Sequence, residues 1–310
     1  MSEFAREEMR HFKLDRPLAL TIGNFDGVHR GHQALVRFVQ DRARERGLAS
    51  GVVTLYPDPV RVLRPTEPAP YIISLEGRLE LLRGLGVDVV VPLSFTSELA
   101  ELSPREFTSL LKNELDMRLL VMGPDHVFGR GREATPERVK ALGDELGFEV
   151  IVMPQPLDVE GGAISSTAIR NALAEGDLDK VTQLLGRRFA LRGPVVSGQR
   201  LGRTLGFPTA NIAVTADRAL PKYGIYATWA YVGERRYQSA TSIGVRPTVA
   251  GGLNMSVETY IFDFEGDLYD QQLRIEFVAR LRDEEKFDGL EALTAAIAKD
   301  VEDARRVLTA

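Results

Sequence analysis

Pro17-Leu-Ala-Leu-Thr-Ile-Gly23-Asn-Phe-Asp-Gly-Val-His29-Arg-Gly-His32 is the stretch that decides the fold. Residues 17–22 form a short run of apolar and β-branched residues and read as a buried strand. The run breaks at Gly23, and helical spacing begins near Gly31 and continues to Arg46, with Leu35, Phe38 and Val39 on one face. A strand that feeds a helix through a glycine-rich turn is the first half of a β-α-β unit.

The same alternation continues outward. Residues 51–55, 87–91, 119–122 and 149–153 read as further strands, and 75–85, 104–115 and 136–146 as helices. This order predicts an α/β fold, a Rossmann-like parallel sheet with helices on both faces. Residues 57–70 carry five prolines, which excludes a regular helix or central strand and predicts a long loop at the edge of a site. Residues 166–185 read as two short helices, with Gly176 between them, Asp177 capping the second and Gly186 ending it.

After Gly186 the character changes. Residues 225–232, 256–264 and 273–281 are rich in β-branched and aromatic residues, with glycine turns between them. They predict an antiparallel β-barrel. Leu290, Leu293, Ile297, Val301 and Leu308 fit one helical stripe that closes the domain. Two domains are therefore expected, 1–186 and 187–310.

Composition narrows the function. The chain has 310 residues, 44% hydrophobic, and a net charge of −5, without a basic stripe interleaved with aromatics. That excludes a protein held to nucleic acid by its overall charge. There are no cysteines, so disulfides and thiolate metal sites are excluded. No apolar run approaches the ~18 residues of a membrane span, and the N-terminus lacks the apolar core of a secretory signal. A cytoplasmic protein is expected; the sequence leaves oligomeric state open, with a monomer as the default.

Two of the four histidines, His29 and His32, lie three apart after the turn Gly23-Asn24-Phe25-Asp26-Gly27. Backbone N–H groups in such a turn approach phosphate oxygens, and the helix N-terminus adds partial positive charge. The imidazoles can stabilise charge that builds on an attacked phosphate. Ile164-Ser165-Ser166-Thr167-Ala168-Ile169-Arg170 places hydroxyls and one guanidinium fork ahead of a helix.

In the second domain, Gly198, Gly202 and Gly206 recur every four residues and predict a mobile loop that closes on phosphates. No Gly-Lys-Ser/Thr is present, so this is not a Walker loop. Thr209 and Asn211 offer two oxygen ligands on one side of a strand, which suits Mg²⁺ beside the phosphates of ATP.

The two N-terminal elements together resemble the nucleotidylyltransferase superfamily, and the string from Gly23 to His32 looks like its FMN adenylyltransferase branch. Gly123-Pro-Asp125-His-Val-Phe-Gly129 matches a third segment. Gly206-Phe-Pro208-Thr-Ala-Asn211 resembles riboflavin kinase, followed in order by 221–226, 243–248, 257–259, 262–269 and 277–287. Both halves together resemble bifunctional riboflavin kinase/FAD synthetase.

The resemblance implies a sequence of two reactions. Riboflavin and ATP give FMN, and FMN and a second ATP give FAD and pyrophosphate. It implies Glu258 as general base, His29, His32 and Arg170 at the triphosphate, and Ser165, Ser166, Thr167 and Asp125 as nucleotide or flavin contacts. Gly198, Gly202, Arg203, Gly206 and Pro208 join the second nucleotide site. The chain departs from the family pattern at Asp58, His126, Val127, Ser242 and Tyr260. Two alternatives follow, a riboflavin kinase with a silent N-terminal domain and a flavin-binding regulator.

Overall fold

The computed structural model describes residues 3–66, 69–154, 163–198, 201–247 and 253–309. Contacts divide the chain into two compact units, Met1–Ser166 and Thr167–Ala310.

The first unit opens with α1 (Glu3–Arg10), β1 (Leu18–Gly23), α2 (Arg30–Glu45), β2 (Ala49–Tyr56), α3 (Pro59–Leu63) and α4 (Leu75–Gly84). It continues through β3 (Val89–Ser94), α5 (Ser97–Ala100), α6 (Pro104–Leu115), β4 (Met117–Met122), α7 (Pro136–Leu146) and β5 (Glu149–Val152). The sheet is parallel, with strand order β3-β2-β1-β4-β5. Strand β1 is buried on both faces, which is why it reads as a continuous apolar run. Leu18, Leu20 and Ile22 pack with Met9, Phe107 and Leu110 on one side. Ala19 packs with Val39, Ala43, Leu119 and Val121 on the other.

Two local expectations are corrected. The buried stripe of α2 is Val36, Val39 and Ala43, while Leu35 and Phe38 are only partly covered. The proline-rich segment does hold a helix, α3, because its prolines fall where a short helix tolerates them. Pro59 occupies the first turn, where its missing N–H costs nothing, and the Asp58 side chain accepts the Val60 N–H as the cap.

The second unit contains α8 (Ser166–Glu175) from Thr167 onward, then α9 (Leu178–Leu185), β6 (Ala190–Val196), α10 (Leu201–Thr204) and β7 (Thr209–Ile212). It ends with β8 (Gly224–Val232), β9 (Arg235–Pro247), β10 (Leu253–Ile261), β11 (Gln272–Arg282) and α11 (Leu290–Thr309). The strands close a barrel in the order β10-β7-β6-β11-β8-β9. Its interior holds a chain of fully buried hydroxyls. Ser239 meets Thr228 at 2.8 Å, Thr228 meets Thr241 at 2.8 Å, and Thr241 meets Thr259 at 2.9 Å. Each hydroxyl thereby finds a partner, which removes the cost of burying it dry.

Because Val257, Thr259 and Ile261 fill the interior, pleat alternation turns Ser256, Glu258 and Tyr260 to the other face. The register sets Glu258 opposite Asn211 and Tyr260 opposite Thr209. Helix α11 packs Ala304 and Leu308 against Ala227 and Phe262. The bidentate Arg282–Asp300 pair, 2.7 Å at both contacts, ties it to the end of β11. Leu290 lies outside the expected stripe at 59% exposure, because the covered face begins one turn later.

Gly193 in β6 marks a close backbone approach, since a Cβ there would sit 2.3 Å from the Ala213 carbonyl oxygen. Gly193→Ala is expected to cost roughly 1–3 kcal/mol by overpacking. A lower urea midpoint for loss of the barrel checks this; an unchanged midpoint refutes it.

Candidate active sites

The strand order of the first unit reverses at β1, whose neighbours are β2 and β4. In open parallel sheets ligands bind beyond the carboxyl ends of the strands at such a switch point. The turn 23–29 leaves β1 at that place. It is strained: Phe25 has φ 54°, Val28 φ 42° and Gly27 φ 79°. Positive φ at non-glycine residues costs of order 1–3 kcal/mol each and persists only where surroundings enforce it. Here Phe25 and Val28 are buried in the core between α2 and α4. A Cβ at Gly27 would meet the Ile72 side chain at 3.1 Å.

Asp26 is 1% exposed and accepts the N–H groups of Ile72 (3.1 and 3.0 Å) and Ile73 (3.2 Å). Its carboxylate is therefore turned inward and holds the turn, instead of facing a nucleotide. Ser166 Oγ donates to the Asp26 carbonyl at 3.0 Å, which brings the second motif onto the first.

His29 caps α2. Its Nδ1 accepts the His32 N–H at 3.3 Å, so in a neutral ring the proton sits on Nε2. The two imidazoles stack, with centroids 3.5 Å apart and planes 14° apart. His32 keeps a partly open edge, yet its Nδ1 is sealed and has no hydrogen-bond partner. Desolvation by burial, then His29 and then Arg78, hold its pKa well below 6.5. At neutral pH the His32 ring is therefore uncharged.

Thr167 and Arg170 fall in the second unit. Asp125 is exposed in the turn after β4. His126 is half-buried beside Phe128, and burial lowers its pKa to about 4.

In the barrel, Thr209 Oγ1 donates to Glu258 Oε2 at 3.3 Å and Ser256 Oγ donates to Oε1 at 3.0 Å. Gly198 lies against Asn211, since a Cβ there would fall 2.3 Å from its amide nitrogen. The expected open loop contains the short helix α10, in which Gly202 lets the chain approach the Phe207 carbonyl (2.4 Å for a Cβ). Gln199 and Arg200 and the Arg203 side chain lie outside the described residues. A hydroxyl, an amide and a carboxylate converge here, a hard-oxygen set that fits Mg²⁺.

Thr209, Ser242, Glu258 and Tyr260 open onto one cavity of about 290 Å³. Leu205, Phe207, Phe287, Leu293 and Ile297 form its apolar wall. Pro208 instead lines a neighbouring cleft of about 520 Å³, with Phe264, Asp267 and Tyr269. Sequence reasoning missed Glu284, because Asp283-Glu284-Glu285 reads as a solvated run. Its carboxyl lines the first cavity, and burial and then Glu258 raise its pKa, with Arg282 opposing.

Two family models match the chain, FAD synthetase over residues 11–168 and riboflavin kinase over 185–308. The Pseudomonas fluorescens bifunctional riboflavin kinase/FMN adenylyltransferase is 41% identical over 94% of this chain and 93% of its own. The chain belongs to the bifunctional riboflavin kinase/FMN adenylyltransferase family.

Relatives of the same name in Escherichia coli K12 and Bacillus subtilis are 38% and 35% identical, over 91% and 93% of this chain and 90% and 91% of theirs. A solved Streptococcus pneumoniae structure named a macrolide-efflux protein has a TM-score of 0.86 at 32% identity, covering 96% of each chain. Among the described residues no helix here is long and apolar enough to cross a membrane.

The lowered His32 pKa has a stability consequence. Below pH ~6.5 the unfolded imidazole takes up a proton that the folded one refuses, so stability falls as pH drops, by at most about 1.4 kcal/mol per pH unit. His126 acts with the same sign. Denaturant titrations of the N-terminal unit between pH 7.5 and about 5 should show this slope reduced in His32→Asn; an unchanged slope refutes it.

Proposed function

We propose that the barrel phosphorylates riboflavin with ATP to give FMN, and that the α/β unit then joins FMN to the AMP moiety of a second ATP. The boundary between the two activities is placed at Gly186, where α9 ends in a left-handed cap. The observation that carries the reading is that Glu258 and Thr209 share one cavity while the register sets Asn211 opposite Glu258.

In the barrel, Glu258 takes the proton of the primary ribityl hydroxyl. The alkoxide oxygen bonds to the γ-phosphorus as the bridge to the β-phosphate breaks, and ADP leaves. The carboxylate is held from both sides by Thr209 and Ser256, so it meets the alcohol already oriented. The flat flavin ring would lie against the apolar wall of the cavity, which includes Phe207 and Phe287. A Mg²⁺ held by Thr209 and Asn211 would draw together ATP phosphate oxygens and offset their charge. Gly198, Gly202, Gly206 and Arg203 belong to the nucleotide side of this site, and Pro208 to the adjoining cleft.

In the α/β unit, an FMN phosphate oxygen attacks the α-phosphorus of ATP and pyrophosphate leaves. No proton needs to move at the nucleophile, so catalysis is positioning and charge stabilisation. The His29 Nε2–H, the His32 ring and the N-terminus of α2 supply donors to the developing charge. Gly23, Gly27 and the Ser165-Ser166 turn bring backbone close to the phosphates.

A product time course with riboflavin, ATP and Mg²⁺ tests both halves. FMN should appear first and convert to FAD. FMN accumulating even when supplied directly would leave only the kinase. Glu258→Gln should lower phosphorylation about 10²–10⁴-fold and spare FMN adenylylation. His29→Ala should lower adenylylation about 10²–10³-fold and spare the kinase. Either variant acting on the other reaction contradicts the assignment.

A further inference from the structure

We propose that Arg78 is a positioning residue for adenylyl transfer, which fixes Asn24 and, through it, Asp58, and supplies the site with a permanent buried positive charge. The proposal rests on the adenylyl-transfer reading of the first unit.

Arg78 lies on α4 and is 0% exposed. Burying a guanidinium without a close counter-ion is costly, so its surroundings have to explain it. The nearest carboxylate, Asp26, is 3.9 Å from Nη2 and is already bonded to two backbone N–H groups. Nη1 faces four oxygens: Asn24 O at 2.7 Å, Asn24 Oδ1 at 3.0 Å, Leu55 O at 3.1 Å and Thr54 Oγ1 at 3.4 Å. Nε and Nη2 are buried without a hydrogen-bond partner. The rings of Tyr56 and Tyr71 each lie 5.8 Å from the guanidinium carbon.

Two properties follow. First, the guanidinium clamps the residue that leaves β1 to the end of β2, at the switch point itself. It takes the Asn24 carbonyl side, so the amide N–H₂ is turned to Asp58, to which it donates. Asp58 caps α3 and its N–H donates to the Tyr71 hydroxyl oxygen at 2.9 Å. The relay runs Arg78, Asn24, Asp58, and it gives a use to an aspartate that departs from the family pattern.

Second, the buried ion-pair partner of Arg78, Asp26 at 3.9 Å, is shared with the backbone N–H groups of Ile72 and Ile73. A neutral donor would serve for a structural clamp. A fixed cation in a low-dielectric setting instead stabilises negative charge developing at the phosphate without reorganising. The titratable and charged groups around it are Asp26, Asp58, His29, His32, Tyr56, Tyr71 and Arg61, whose guanidinium covers Tyr71 at 4.1 Å. Of these, His32 is held neutral partly by Arg78 itself. The lasting positive charge beside the histidine pair is therefore the arginine.

The test uses the full chain with Arg78→Met, Arg78→Lys and Asp58→Asn. FMN adenylylation is measured as kcat and KM against pH, with riboflavin phosphorylation as control of the intact chain. Arg78→Met should lower adenylylation kcat about 10²-fold with smaller change in KM. Arg78→Lys should recover much of the loss. Unchanged kcat in Arg78→Met, or a loss equal in Arg78→Lys and Arg78→Met, overturns the proposal. Should Arg78→Met unfold the unit, Asp58→Asn decides: reduced kcat at unchanged melting temperature supports the relay, and unchanged kcat overturns it. Wild-type chain that makes no FAD from FMN would refute the adenylyl-transfer reading instead.

Discussion

The N-terminal site depends on one buried carboxylate. Asp26 accepts N–H groups from Ile72 and Ile73, across more than forty residues of chain, and so pins a turn that its own backbone energetics oppose. Left-handed conformations at Phe25 and Val28 survive because Asp26 and the core beneath α2 and α4 over-determine them. The capped start of α2, the His29–His32 stack and the contact to Ser166 all follow from where that turn leaves the strand. A looser turn would keep the sheet and lose the alignment of donors that phosphate chemistry requires.

The barrel solves a different problem. Its site sits on strands, so register does the positioning. Hydroxyls inside the barrel satisfy each other in a chain, and this commits Thr259 and Thr241 to the interior. Alternation then commits Glu258 to the face shared with Thr209 and Asn211. A slip of one residue would put a threonine or a valine in the place of Glu258 and turn the carboxylate inward.

Both sites place charge in partly dry surroundings, and local partners account for departures from the family pattern. Asp58 is engaged by Asn24 and α3. Tyr260 packs edge-on to Phe207, with centroids 5.5 Å apart, in the wall of the barrel cavity. Ser242 lies opposite Glu258 on β9, where a small side chain leaves the cavity open. Nothing in the structure explains Val127.

The sequence by itself determined the α/β-then-barrel order, because buried parallel strands, helical spacing and alternating β runs leave different periodicities. It also determined the local motifs at 23–32 and 206–211, where neighbours in sequence are neighbours in the site. Its exclusion of a helix from 57–70, read as a long loop at the edge of a site, failed at Pro59–Leu63 because proline at a helix start and proline inside a helix look alike in composition. Arg78 and Glu284 were illegible for a deeper reason: an arginine one helical turn from leucines and a glutamate in an acidic run both read as solvated. Only tertiary structure decided that one is sealed beneath the switch point and the other lines a cavity with Glu258. Burial and long-range hydrogen bonding are properties of which segments meet, and local spacing does not encode that.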